Sequence, residues 1–172
     1  MLLALDVVVL VAVLAYSGGL LALGAIVAPT VFRSGMQGAA DVMTTIFTRF
    51  DRVAIALCLA ALIGEAASVT LRGGPMTRPR VARGALVVLF ALGVAAQSGY
   101  LSPKIARMHA EGVQRNVGEA GAEFDRTHNW SSRVGKLTVS LAIAALVAVL
   151  LDRKANSSPS GDRSVDAAKT SQ

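Results

Sequence analysis

In this 172-residue chain one carboxyl group and two imidazoles are placed where side-chain chemistry is conceivable: Glu65, His109 and His128. Glu65 is the one ionisable residue well inside a long apolar run. A charged group at the centre of a bilayer costs roughly 2.5 to 3.5 kcal/mol on insertion scales, so such a residue faces the interior of a helical bundle and takes a partner there. Matching depths along antiparallel helices places Tyr16 and Ser17 of the first apolar run nearest to it. The expectation is a carboxyl group satisfied by hydroxyls or turned to a watery crevice, with a station in a proton or cation relay as its rival.

Both histidines fall in the polar stretch from Leu101 to Ser132, which also holds the only tryptophan, Trp130. At helical spacing Phe124, His128 and Ser131 or Ser132 share a face, which puts the imidazole at the membrane boundary beside Arg126 and Trp130. His109 and His128 with Met108, Met43 or Met36 would make a copper-like set of imidazole and thioether ligands. No HxxH, HxxxH or CxxC spacing occurs, so interfacial hydrogen bonding is the expectation for the histidines, and metal or haem ligation its rival. No nucleophile, base and orienting group can be assembled, and no glycine-rich phosphate loop is present, so the chain is not expected to be an enzyme. The single cysteine, Cys58, lies in an apolar run, which excludes an intrachain disulfide and a cysteine-type zinc site.

The elements that must position these residues are four apolar runs. With 53% hydrophobic residues and a mean hydropathy of +0.56, the chain reads as one all-α membrane domain, residues 1–154, with spans at about 7–28, 53–71, 84–101 and 134–151. Pro29 is expected to close the first helix, since proline removes a backbone donor and restricts the residue before it. Residues 30–51 are amphipathic, with Met43, Ile46, Phe47 and Phe50 recurring at helical spacing, as a surface helix or an extension of the second span. Small residues recur every fourth position in three spans: Ala56, Ala60, Gly64 and Ser68; Ala91, Ala95 and Gly99; Ser140, Ala144 and Ala148. Such stripes permit close helix packing in lipid, within a bundle or between copies in a homo-oligomer. In the connector, Ser102 and Pro103 mark a helix start, Glu111 and Arg115 form a pair at spacing four, and a second amphipathic helix is expected from Glu123 to Ser132. The tail, residues 155–172, is polar and without apolar period, and is expected to be disordered.

The net charge of +6 invites a nucleic-acid reading, but the basic residues flank apolar runs without interleaved aromatics, so they are read as topology signals and lipid contacts. The short loop with Arg72, Arg78, Arg80 and Arg83, together with Arg153 and Lys154, favours termini in the cytoplasm. Thirteen arginines to four lysines, with abundant alanine, suggest a GC-rich bacterial source and hence a bacterial cytoplasmic membrane.

Pro29 and Phe32 at the end of the first span, Pro103 after the third, and the Phe124, His128, Ser131 spacing before the fourth occur in an order that resembles the transmembrane-protein-205-like family of small membrane proteins. The chain departs from that pattern at Asn129, where members often carry glycine. The resemblance covers roughly residues 7–151 and implies a four-helix transmembrane bundle of uncharacterised role. By fold-level analogy with copper-resistance and haem-biosynthesis membrane proteins it favours small-solute or metal-ion handling, with a haem- or copper-associated redox protein as one alternative. A structural or interaction module acting through helix packing is the other.

Overall fold

The computed structural model describes residues 1–35, 38–73, 76–115 and 117–157. Four helices account for nearly all of them: α1 (Leu2–Arg33), α2 (Ala39–Arg72), α3 (Arg78–Ala110) and α4 (Gly118–Ser157), each long and apolar enough to cross a membrane. They run up, down, up and down, with α1 packed most closely on α2 and α3 on α4. Met36 and the tail from residue 158 lie outside the described residues.

The distribution of apolar side chains is that of a membrane bundle. Leu14, Leu21, Ile26, Ile55, Leu59, Ile63, Leu92, Ile143, Val147 and Leu151 all face outwards, while charged Asp6, Glu65, Arg83 and Asp152 are buried. This inversion suits a hydrocarbon solvent, where apolar side chains lie at the surface without penalty. The core between the helices is built from Val9, Val13 and Tyr16 of α1, Ala54, Cys58 and Ala61 of α2, Val87, Phe90 and Val94 of α3, and Ala142, Ala145 and Val149 of α4. Tyr16 meets Phe90 edge to face with centroids 5.0 Å apart, tying the diagonal pair α1 and α3 together.

At 1.5 Å per residue α1, α2 and α3 are about 50 Å long and α4 about 60 Å, well beyond the ~30 Å hydrocarbon core. The excess lies at one end. At the terminal end the apolar runs stop within a few residues of Asp6, Arg72, Arg83 and Asp152, whereas at the other end α2, α3 and α4 continue as polar projections. The polar stretch from Leu101 to Ser132 is thus mostly the continuation of α3 and α4 and not a separate pair of boundary helices. Only seven residues separate the two helices, with Gly112 and Gly118 at positive φ of 73° and 63°. Likewise the amphipathic stretch after residue 38 belongs to α2 itself.

Pro29 does not close α1. A π-helical segment, Leu23–Val27, precedes it, with the Ala28 N–H donating to the Leu23 carbonyl, and the helix continues to Arg33. The same device recurs in α3, where Gln97–Leu101 is π-helical, Ser102 N–H donates to the Gln97 carbonyl, and Pro103 follows. Widening the turn just ahead of the proline relieves the clash between its ring and the preceding carbonyls, so the chain passes through without a break. The correspondence extends further: Gly19 stands as far before Pro29 as Gly93 does before Pro103, and Tyr16 and Phe90 occupy equivalent buried places. A Cβ on Gly19 would lie 2.6 Å from the Phe50 ring of α2, and one on Gly93 would strike the Thr138 hydroxyl of α4. The two helical hairpins are therefore packed alike, a likeness invisible as a sequence repeat.

The small stripes at spacing four are only partly interior. Gly64, Ser68 and Ala91 are buried, but Ala56, Ala95, Gly99 and Ser140 face outwards. Four residues turn an α-helix by about 40° more than a full circle, so a strict spacing of four drifts off the contact face. The seam instead runs through Ala54, Cys58, Ala61, Glu65 and Ser68, alternating threes and fours.

Candidate functional site

At the terminal end the four helices meet in a buried cluster of carboxylates and guanidiniums. Arg83 of α3, 1% exposed, places Nε 2.7 Å from Glu65 Oε2 of α2 and Nη1 2.8 Å from Asp6 Oδ1 of α1. Arg72, the last residue of α2, reaches across the same group: Nη2 lies 2.7 Å from Asp6 Oδ2 and Nη1 2.5 Å from Asp152 Oδ2 of α4. A longer contact of 3.4 Å joins Arg83 Nη1 to Asp152 Oδ2, and Ser68 Oγ accepts from Arg83 Nη2 at 3.5 Å. Every helix contributes, and every charged member is at least nine-tenths buried by side chain.

Glu65 is therefore interior and partnered, but its partner is a guanidinium, not the hydroxyls of Tyr16 and Ser17. Gly64 sits against Leu5, Val8 and Val9 of α1, so Glu65 lies near the start of α1. The register differs from that expected by matching depths along antiparallel helices: the pair between Asp6 and Arg72 brings the start of α1 level with the end of α2. Ser17 donates to the Val13 carbonyl at 2.9 Å, and Tyr16 is hydrogen-bonded to Thr138.

A cavity of about 10 Å³ opens beside the cluster, lined by Glu65, Ser68, Arg72, Arg80, Arg83 and Asp152. The Arg72 Nε–H is buried and has no acceptor among the described residues. The space is at the lower limit for a single water molecule, and a water at Arg72 Nε would accept from it and donate to a carboxylate. Arg80, at the rim, donates to the Gly73 carbonyl at 3.1 Å and marks the side towards the α2–α3 loop.

The projecting end carries smaller, separate pairs. His109 Nε2 is 2.7 Å from Asp41 Oδ1, Lys104 pairs with Glu123 at 2.7 Å, and Arg115 Nε donates to Asp125 at 2.6 Å, not to Glu111. The Lys104–Glu123 contact raises the lysine and lowers the glutamate from their ordinary values, each chiefly through the hydrogen bond between them. Within the bundle, Gln97 of the π-helical segment donates to Ser131 Oγ at 2.7 Å, and Ser98 donates to Asp51 at 2.8 Å. Phe124 is buried, whereas Arg126 and His128 stand on the exposed side of α4. Partial desolvation and then the Arg115 guanidinium hold His128 below the ordinary imidazole value, with Asp125 opposing. Met43 and Met108 are buried, and among the described residues no three His, Cys, Asp or Glu side chains are grouped to hold a metal ion.

The sequence singles out Glu65 and marks Arg72 and Arg83 as topology signals of a short loop, whereas Asp6 and Asp152 draw no functional reading from it. The available signal is the sign of these four: in an antiparallel bundle the four boundaries at one end carry two carboxylates and two guanidiniums, which can pair with one another.

The fold and this cluster define a four-helix integral membrane bundle with a buried ionic centre. A family model described as a domain of unknown function, DUF4149, matches residues 10–114, and the chain belongs to that family. The matched segment spans α2, α3 and most of α1, and so contains Glu65, Arg72 and Arg83. No curated protein and no solved structure matches the chain.

Proposed function

We propose that this membrane protein handles a proton or another small cation, and that the cluster of Asp6, Glu65, Arg72, Arg83 and Asp152 is where it does so. The observation that carries this reading is a buried ionic cluster to which all four helices contribute, with a water-sized cavity opening beside it. Well-packed apolar side chains would serve stability about as well as buried ion pairs, so retained intramembrane charge argues for a use. A water held by Arg72 Nε links the carboxylates to the terminal face and gives a proton a path of hydrogen-bonded groups. The cavity suits nothing larger than a water or a small ion, which narrows the small-solute expectation.

In this reading the chain is not an enzyme, its surroundings are the lipid bilayer, and the arginines at the ends of α2 and α3 that flank their loop, Arg72, Arg78, Arg80 and Arg83, favour termini on the cytoplasmic side of a bacterial membrane. Kinship with the transmembrane-protein-205-like proteins rests on Pro29, Phe32, Pro103 and the Phe124, His128, Ser131 spacing.

The test is proton flux into proteoliposomes containing a trapped pH dye, under an imposed gradient of either direction. The wild type should dissipate the gradient faster than protein-free liposomes, and Glu65→Gln should fall towards the protein-free rate while remaining folded. A wild type equal to protein-free liposomes, or a folded Glu65→Gln as fast as wild type, overturns the proposal.

A further inference from the structure

We propose that the outward face of α4 at the membrane boundary binds the headgroup of an anionic phospholipid through Arg126, Arg133 and Lys136 around Trp130. Arg126, Trp130, Arg133 and Leu137 follow one another at alternating helical spacings of four, three and four, which places them in one line along the helix. All four are exposed, Trp130 by 59% and Leu137 by 61%. Lys136, also exposed, lies one turn beyond Arg133.

The charge on this face is uncommitted. Glu123 and Asp125, the acids closest in sequence to it, are taken by Lys104 and Arg115. Among the described residues no carboxylate forms an ion pair with Arg126, Arg133 or Lys136. The Tyr100–Lys104 pair on α3 provides the contrast: the ammonium sits 6.0 Å from the ring centroid, as Arg133 sits 5.9 Å from that of Trp130, but Lys104 is already engaged by Glu123. Among the described residues only the α4 face offers both a cation-backed aromatic and positive charge outside any ion pair.

Its depth selects the ligand. The apolar run of α4 begins at Val134, so Arg126 and Arg133 lie at and above the level of phosphates, Trp130 lies at the interface that its amphipathic ring favours, and Leu137 lies where acyl chains begin. Guanidinium forks match a phosphodiester with two parallel hydrogen bonds, and three cations along about 15 Å of one side of the helix favour lipid of net negative charge over zwitterionic lipid.

Trp130, being the only tryptophan, reports its own lipid neighbours. The wild-type protein would be placed in phosphatidylcholine bilayers in which a fraction of lipid is replaced by brominated phosphatidylglycerol or by brominated phosphatidylcholine, and Trp130 quenching compared. The anionic lipid should associate about fivefold or more in preference to the zwitterionic one, the increment expected from a single basic residue at a charged surface. Combined Arg126→Gln, Arg133→Gln and Lys136→Gln substitution should abolish the preference, while Arg49→Gln with Arg52→Gln on α2 should preserve it. Equal quenching of the wild type by the two lipids overturns the proposal. So does a preference that survives the α4 substitutions, or one lost equally with the α2 pair. Protection of Cys58 from thiol reagents confirms that each variant is folded.

Discussion

Arg83 and Glu65 are held face to face in the bundle interior, with both Nε and Nη2 of the guanidinium 2.7 Å from the same carboxylate oxygen. Removing one partner leaves the other charged and buried, a loss of about 3–5 kcal/mol for a pair of this kind. Arg83→Met should therefore destabilise the bundle by that order, the more so because Asp6 also loses a contact at 2.8 Å. Adding Glu65→Met to the same chain should recover part of the loss, because the unpaired carboxylate goes with it. Denaturant-dependent labelling of Cys58, buried in the core, measures both.

Acidification should destabilise the protein through His128. Its folded-state value lies below the ordinary 6.5, chiefly through partial desolvation and then Arg115, so the unfolded chain takes up the proton first. Stability from this group is intact above about 6.5 and declines as pH falls through the window between that value and the lower folded one, then levels off. The measurement is the unfolding midpoint between neutral and mildly acidic pH in wild type and His128→Asn. If the two curves have the same slope, His128 is not the titrating group.

How far the sequence reached is seen by comparing Glu65 with Pro29. That Glu65 is interior follows from one residue in one apolar run, since a charge in hydrocarbon must find a partner, and the four spans follow from length and hydropathy alone. Which partner it takes depends on the relative shift of α1 against α2, a property of ion pairs between residues as distant as Asp6 and Arg72. The passage of the chain through Pro29 and Pro103 depends on π-helical turns, which have no residue signature in Leu23–Val27 or Gln97–Leu101. The histidines were legible as boundary residues, but the acids beside them were not. Asp41 reaches His109 only once α2 is known to extend far beyond its apolar run.

The close approach of the two helices within each hairpin gives a graded glycine series. A Cβ at Gly93 meets the Thr138 hydroxyl and both of its neighbouring carbons, and Thr138 is 1% exposed with its hydroxyl bonded to the Val134 carbonyl at 2.8 Å. A β-branched side chain so held cannot turn aside, so α3 and α4 must separate locally, and overpacking of this kind costs about 1–3 kcal/mol. Gly93→Ala should fall in that range. Gly19→Ala should cost less, because the Phe50 atoms it meets are at the far edge of a half-buried ring that can swing away. Gly18→Ala meets nothing within 4 Å and should stabilise α1 by up to about 1 kcal/mol through helix propensity. Measured by the same Cys58 labelling, the order Gly93, Gly19, Gly18 from most to least destabilising is the expected outcome. An equal loss at Gly93 and Gly18 would mean that the contact between α3 and α4 at Thr138 is not the tight one described.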